Sequence, residues 1–402
     1  MNIIYLHQYF VTPEEYGATR SYWFAKKLTE QGHQVTVISA LSSSTLREKG
    51  TYNIDGIRVI YLGGRYSNLH SMFGKLLHFI RYFFAASLTL LRQKRPDLVF
   101  ATSTPLTVGA IALLGKKIKR TTFVFEVRDL WPEFPIQIGA IKNPVIIKTL
   151  KWLERSIYQN ALHIVALSPG MKEGIIQSGV EESKIIVIPN MSKPDIFYPR
   201  EKSAEIMARF HIDPSKFNVI HFGAMGPANG LEYVVEAAKI LKEEGIDDIC
   251  LVFAGYGAEE SKLKFFAQKH QLNNVLFTGK HNALVISELV NCCDVSLISF
   301  KNLPILATNS PNKLFDSLSA GKPIIVNSNG WTRTLAEESN CGFYVDPENR
   351  VDLVDKLIKV KNDKERLNKM GKNARRLSLE VFNKEILSEK LVTLLESLPA
   401  KK

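Results

Sequence analysis

Three polar residues in the segment Ser310-Pro311-Asn312-Lys313-Leu314-Phe315-Asp316-Ser317-Leu318-Ser319-Ala320-Gly321 could together hold a phosphorylated ligand. Ser310 can cap a helix, Pro311 suits its first position and Gly321 ends it. On such a helix Asn312, Lys313 and Asp316 share a surface sector, while Leu314 and Leu318 point inward. Lys313 falls in the first turn, where the helix dipole disfavours a cation by about 0.3–1 kcal/mol. A bound diphosphate would reverse that penalty. A local ion pair between Lys313 and Asp316 is the plainer alternative, and it would supply only about 0.3–0.5 kcal/mol.

Two further segments have the character of anion-binding loops. After the first strand comes Tyr9-Phe10-Val11-Thr12-Pro13-Glu14-Glu15-Tyr16-Gly17-Ala18-Thr19-Arg20, leading into a helix. There Gly17 and Ala18 allow close backbone approach, the helix start offers free N–H groups, and Arg20 adds a fork of donors. The second half opens alike: the strand Asn218–Phe222 runs into Gly223-Ala224-Met225-Gly226-Pro227-Ala228-Asn229-Gly230, so Gly223, Gly226 and Asn229 are candidate phosphate contacts. An ordinary strand-to-helix turn would look similar in either place.

Elements that position these loops follow from periodicity. Short apolar strands are expected at Asn2–His7, Gln34–Ser39, Ile57–Leu62, Asp97–Ala101, Thr122–Val127, Ile164–Leu167 and Ile185–Ile188, separated by helix-length segments. Pro189, Pro194 and Pro199 read as a linker. The pattern then restarts at Asn218–Phe222, Cys250–Ala254, Val275–Thr278, Val295–Ile298 and Pro323–Asn327. The simplest account of 402 residues is α/β: two successive doubly wound, Rossmann-like domains, whose ligands bind beyond the carboxyl ends of the strands. The expected division is residues 1–190 and 191–375, with a C-terminal helix 376–402 rejoining the first domain.

Composition excludes several classes. Apolar residues at 45% and charged residues at 23% fit a globular chain rather than a disordered one. Cys250, Cys292, Cys293 and Cys341 lack zinc-ligand spacing and read as reduced packing residues of a cytoplasmic protein. The opening MNIIYLHQYF has no secretory character, and the run Tyr82–Leu91 is too short to span a bilayer. Residues 1–190 hold 23 Lys/Arg against 13 Asp/Glu, whereas the remainder holds 29 against 27, so most of the +12 charge lies in the first half. That asymmetry suits an anionic surface. Residues 69–94 mix bulky apolar and basic side chains, which fits either contact with a membrane surface or a deeply buried sheet-covering helix. No nucleic-acid motif is present, and no Gly-x-Gly-x-x-Gly heads either domain, which disfavours a nicotinamide-dependent dehydrogenase.

The glycine loop near Gly17, Val127-Arg128-Asp129-Leu130-Trp131-Pro132, the Gly223–Gly230 loop, Phe253-Ala254-Gly255-Tyr256-Gly257 and Asn312–Pro323 resemble, in order and spacing, glycosyltransferase family four, retaining enzymes of the GT-B fold. The resemblance covers nearly the whole chain, and its flavour is that of bacterial enzymes building O-antigen or capsule repeat units. It implies two domains facing across a cleft. Asp316 would accept the ribose hydroxyls of the donor, Asn312 and Lys313 would meet its pyrophosphate, and Gly255 and Gly257, with Lys280 and His281, would line the nucleobase pocket. Arg128 and Asp129 fall where many relatives carry His-Asp beside the donor sugar. Thr308 replaces the first acid of the family's paired motif, Ala224 and Asn229 replace its usual Arg and Lys, and Ala18 replaces the second glycine of the first loop.

The activity implied is transfer of a sugar, by analogy an N-acetylated amino sugar, from a UDP-sugar to a saccharide or polyprenyl-diphosphate-linked acceptor, with retention. No Asp-x-Asp triplet is present, so neither metal nor other cofactor is expected, and Lys313, Arg128 and backbone amides would stabilise the leaving diphosphate. Asp129 would orient the sugar or the acceptor hydroxyl. The enzyme is expected in the cytoplasm, at the inner face of the cell membrane if residues 69–94 touch lipid. A nucleotide-sugar 2-epimerase of the same architecture and an inactive partner subunit remain open alternatives.

Overall fold

The computed structural model describes residues 1–66 and 72–398. Residues 1–189, with the stretch from Glu385 on, form one unit, and Asn190–Lys384 form the other. The strands of the first are β1 (Asn2–Leu6), β2 (Gln34–Ser42), β3 (Gly50–Ile54), β4 (Ile57–Tyr66), β5 (Leu98–Thr102), β6 (Phe123–Val127), β7 (Ile164–Ala166) and β8 (Ile185–Val187). They lie in the order β3-β4-β2-β1-β5-β6-β7-β8, parallel except for the β3–β4 hairpin. Strands β5 and β6 are buried at every position, as expected of a parallel sheet covered by helices on both faces. The strand order reverses direction between β1 and β5, which makes that point the crevice for ligands.

Strand β4 extends the expected Ile57–Leu62, whereas β3, which pairs with it as a hairpin, was not among the expected strands. The hairpin turn is Asp55-Gly56, both with positive φ (50° and 82°), the conformation that an Asp-Gly pair favours in a two-residue hairpin. The helix Met72–Arg92 covers the sheet with Tyr82, Ala86 and Leu90, and the Tyr82 hydroxyl donates to the Ile38 carbonyl at 2.8 Å. Its other side exposes Leu76, Leu77, Ile80, Phe84 and Leu88. The expected contact stretch 69–94 begins outside the described residues, at 69–71. Among the described residues, no helix is long and apolar enough to cross a membrane.

The second unit is a six-stranded parallel sheet of β9 (Phe217–Ala224), β10 (Ile249–Tyr256), β11 (Val275–Phe277), β12 (Val295–Ile298), β13 (Ile324–Val326) and β14 (Gly342–Tyr344), in the order β11-β10-β9-β12-β13-β14. Its reversal point lies between β9 and β12. Only three residues long, β14 is too short to show periodicity. All four cysteines are buried and unpaired.

The C-terminal helix 376–402 requires correction. The helix Lys364–Glu380 stays in the second unit, where Arg375 Nη1 donates to the carbonyls of Ser319 (2.6 Å) and Phe197 (3.2 Å). The chain then leaves helical conformation and Asn383 forms a β-bridge with Ser192. A separate helix, Lys384–Glu396, joins the first unit through Lys27, whose Nζ lies 3.1 Å from Glu389, and through Lys390, which donates to the Val187 carbonyl at 2.9 Å.

Candidate active site

Strand β9 carries His221 to the interior of the second sheet, with Leu297 of β12 beside it. His221 Nδ1 is 3.2 Å from the Leu297 carbonyl oxygen. A carbonyl can only accept, so Nδ1 carries the proton, and in the neutral ring Nε2 is left as an acceptor. Burial and the neighbouring Lys313 hold the imidazole neutral, its pKa well below the ordinary value. Lys313 donates to Nε2 across 3.0 Å. Its side chain runs over Gly223, with Cε 3.7 Å from where a Cβ would stand on that glycine. The residue keeps part of its surface open to solvent, yet crowding around the ammonium pushes its pKa down to about 7. Among the described residues no carboxylate lies within ion-pair distance of Lys313.

The helix that presents Lys313 is Asn312–Ser319, one residue later than the capping pattern suggested. Pro311 takes the cap position, and no side chain caps the helix start. Ser310 is engaged elsewhere: its Oγ accepts from the Asn190 amide at 3.2 Å and its carbonyl accepts from Asn190 Nδ2 at 2.5 Å. The amides of Asn312 and Lys313, at the first two helical positions, therefore have no intrahelical acceptor. Leu314, Phe315 and Leu318 are fully buried and fix the helix, each side chain worth about 1.5–3 kcal/mol of burial. Asp316 does not pair with Lys313, as the local ion-pair alternative required. Its Oδ1 and Oδ2 lie 3.0 and 3.3 Å from Lys193 Nζ. Burial raises the Asp316 pKa and Lys193 opposes the rise. The Thr308 hydroxyl donates to the Ile305 carbonyl at 2.8 Å, within a short 3-10 turn.

Gly255 and Gly257 acquire a structural reason that the sequence did not suggest. A Cβ on Gly255 would stand 1.8 Å from the Gly223 carbonyl oxygen, and one on Gly257 would stand 2.4 Å from that of Met225. The ends of β9 and β10 are locked further by the Met225 amide, which donates to the Tyr256 carbonyl at 2.9 Å. Lys280 lies over the Tyr256 ring, 4.7 Å from its centroid. His281 Nε2 is 2.7 Å from the Thr278 carbonyl, and its ring meets Phe210 edge-on at 4.8 Å. Gly226 and Asn229 share a turn in which the Gly226 amide donates to Asn229 Oδ1 at 3.3 Å.

In the first unit, loops leaving β1, β5 and β6 gather His7, Ser103, Thr104, Arg128 and Asp129 around the reversal point. The Arg128 amide donates to Ser103 Oγ at 2.9 Å, and its Nη1 is 3.4 Å from His7 Nε2. Asp129 Oδ2 accepts from the Thr104 hydroxyl at 2.9 Å, and burial raises its pKa against the pull of Thr104 and Arg128. Arg20 is corrected. Its guanidinium is buried, with Nε donating to Glu126 at 2.9 Å, Nη2 to the Ile188 carbonyl at 2.7 Å, Nη1 to the Pro189 carbonyl, and the plane stacked on Phe24. Its fork is occupied by the protein itself, which leaves it no role toward a donor diphosphate. Gly17 and Ala18 precede this helix, Gly17 packed against Val11. Among the described residues, no group of three or more His, Cys, Asp or Glu is placed to hold a metal ion.

Comparison with known families gives the two units an identity. Residues 17–191 match the glycosyl transferase 4-like domain, and residues 202–377 match glycosyl transferases group 1. The chain belongs to the GT4 family of glycosyltransferases. A relative of this GT4 chain is the putative colanic acid biosynthesis glycosyl transferase WcaI of Escherichia coli, 24% identical over 76% of this chain and 78% of that one. Another is the sulfoquinovosyl transferase SQD2 of Arabidopsis thaliana, 24% identical over 70% of this chain and 53% of its own. In fold, this glycosyltransferase is similar to sucrose-phosphate synthase from Thermosynechococcus elongatus (TM-score 0.76, 17% identity, 98% of each chain). It is also similar to Anabaena HepE in complex with UDP-glucose (TM-score 0.71, 17% identity, 99% of this chain and all of that one).

Within this GT4 chain, the sequence had pointed to Lys313, Asn312, Asp316 and the Gly223 loop, and the fold gathers them at the reversal point of the second sheet. Nothing in the sequence marks His221, Lys193 or His7 as members of these clusters. A histidine inside an apolar strand and a lysine between two prolines give no pattern of their own; only the packing pairs His221 with Lys313, Lys193 with Asp316 and His7 with Arg128.

Proposed function

We propose that this glycosyltransferase moves a sugar from a UDP-sugar to a saccharide or polyprenyl-diphosphate-linked acceptor, with retention and without a metal, in the synthesis of a surface polysaccharide. The observation that carries the reading is Lys313: a crowded ammonium without a carboxylate partner, beside two unpaired helix-start amides and the Gly223 turn. That arrangement suits a diphosphate, whose charge would restore the proton that burial disfavours. Asp316 is assigned to the ribose hydroxyls, Arg128 to the departing phosphate and Asp129 to the sugar or acceptor hydroxyl. The named role of WcaI supports a polysaccharide product, and the UDP-glucose complex of HepE supports a UDP-linked donor. An N-acetylated amino sugar remains our choice of transferred group.

Contact with an anionic membrane surface is part of the same reading, supported by the exposed apolar residues of Met72–Arg92 and by the excess of Lys/Arg in residues 1–190. The experiment is a thermal-shift screen of UDP-sugars, followed by turnover of the stabilising donor with a saccharide acceptor. Release of UDP with a glycosylated acceptor supports transfer; a changed sugar with no acceptor product would indicate an epimerase instead. Lys313→Ala is expected to lower turnover about 100-fold. Turnover within about twofold of wild type would remove the assigned role.

A further inference from the structure

Lys313 reaches its place through a residue that no motif contains. An ammonium on a four-carbon stem has many rotamers, and without a carboxylate partner nothing on its own helix holds it over Gly223. His221 does. It is 2% exposed, on the strand next to the reversal point, and its ring is fixed from both sides: Nδ1 on the Leu297 carbonyl at 3.2 Å, Nε2 on Lys313 Nζ at 3.0 Å. The Phe253 ring packs at 6.3 Å between centroids. The Leu297 carbonyl favours the Nδ1–H tautomer, which presents a lone pair to the lysine, and the Ala224 backbone is a further hydrogen-bonding neighbour of the ring. One of the three ammonium hydrogens is used in this way, which leaves two for a ligand.

We propose that His221 is the positioning residue for Lys313, its ring nitrogen acting as the acceptor that aims the ammonium at the diphosphate of the donor. An anionic partner would do the opposite of what the site needs, because a carboxylate at this position would neutralise Lys313 before the ligand arrived. A neutral imidazole fixes direction and leaves the charge available. The proposal rests on the diphosphate reading of Lys313.

The test is a double-mutant cycle on UDP affinity, measured by calorimetry on the full chain. Lys313→Ala is expected to weaken UDP binding more than tenfold, and His221→Leu about tenfold. The double variant should be no weaker than Lys313→Ala alone, because His221 acts only through the lysine. His221→Gln, which returns an acceptor oxygen near the Nε2 position, should recover affinity to within about threefold of wild type. Additive losses in the double variant, or His221→Leu binding like wild type while Lys313→Ala does not, overturn the proposal and leave the reading of Lys313 standing. If Lys313→Ala itself binds UDP like wild type, both fall. A nitrogen-15 NMR spectrum of labelled histidine in the wild-type chain supplies a readout independent of folding of the variants. His221 is expected as the neutral Nδ1–H tautomer at about pH 7; an Nε2–H tautomer could not accept from Lys313 and overturns the proposal outright.

Discussion

Lys193 Nζ stands 3.0 Å from Asp316 Oδ1, across 123 residues of sequence, and both side chains are almost wholly buried. This pairing separates the two charges that share the helix Asn312–Ser319. Asp316 is compensated by the segment that opens the second unit, so Lys313 three residues before it is left for something else.

Removing one partner from such a pair strands a buried charge. Lys193→Met is expected to lower stability by about 3–5 kcal/mol, and Asp316→Asn by less, since the amide keeps the shape without the charge. The double variant Lys193→Met/Asp316→Asn should recover most of the stability in urea unfolding. It should still bind UDP at least tenfold more weakly than wild type, because the ribose loses its carboxylate. Wild-type UDP affinity in that variant would reduce Asp316 to a structural role.

The pH dependence of UDP binding follows from Lys313. In the ligand-free protein its pKa is brought down to about 7, so it holds its charge below that pH and loses it above. A bound diphosphate favours the protonated form, and the nucleotide's own terminal phosphate is fully ionised above about pH 6–7. Affinity should therefore fall as pH rises from 7 toward 9, by up to tenfold per unit, with proton uptake on binding at pH 8. Calorimetry in two buffers of different ionisation enthalpy measures that uptake, and Lys313→Ala should abolish it. The linkage to folding has the same origin. The unfolded chain keeps this proton to about pH 10, so the cost that burial imposes diminishes as pH rises from 7 to 10.

Gly255→Ala and Gly226→Ala should behave differently, although both glycines belong to loops marked for the nucleotide. The added methyl at 255 would collide with the Gly223 carbonyl oxygen, whereas at 226 its nearest neighbour is Asn229 Oδ1 at 3.7 Å, an ordinary contact. Gly255→Ala is expected to lose about 3 kcal/mol or more, and Gly226→Ala less than about 0.5 kcal/mol. Thermal melting of the two variants decides.

Arg20→Met tests whether the buried guanidinium holds the first unit together or serves the donor. It would strand Glu126, buried in β6, and two carbonyls at the end of β8. The expected result is a loss of about 3–5 kcal/mol in stability, with UDP affinity of the surviving folded fraction unchanged. A tenfold loss of UDP affinity without a loss of stability would return Arg20 to the binding site.

The amino-acid sequence by itself determined the architecture and most of the polar candidates. Apolar strands of four or five residues alternating with helix-length segments admit little besides two parallel sheets, and Pro311, Gly321 and the spacing of Leu314 and Leu318 placed a helix at the end of the second sheet. Such signals are local: they depend on period, turn chemistry and capping. Asp55-Gly56 carries the same kind of local signal for the β3–β4 hairpin. What only the tertiary structure decided was the assignment of partners. Arg20 and Lys313 both looked like phosphate ligands, since each is a cation near the start of a helix after a glycine-bearing loop or a proline. The fold surrounds the first with Glu126, Ile188 and Pro189, and among the described residues it gives the second a histidine imidazole and no carboxylate. Which cation is already satisfied depends on residues more than 90 positions away, and sequence spacing carries no information about contacts at that range.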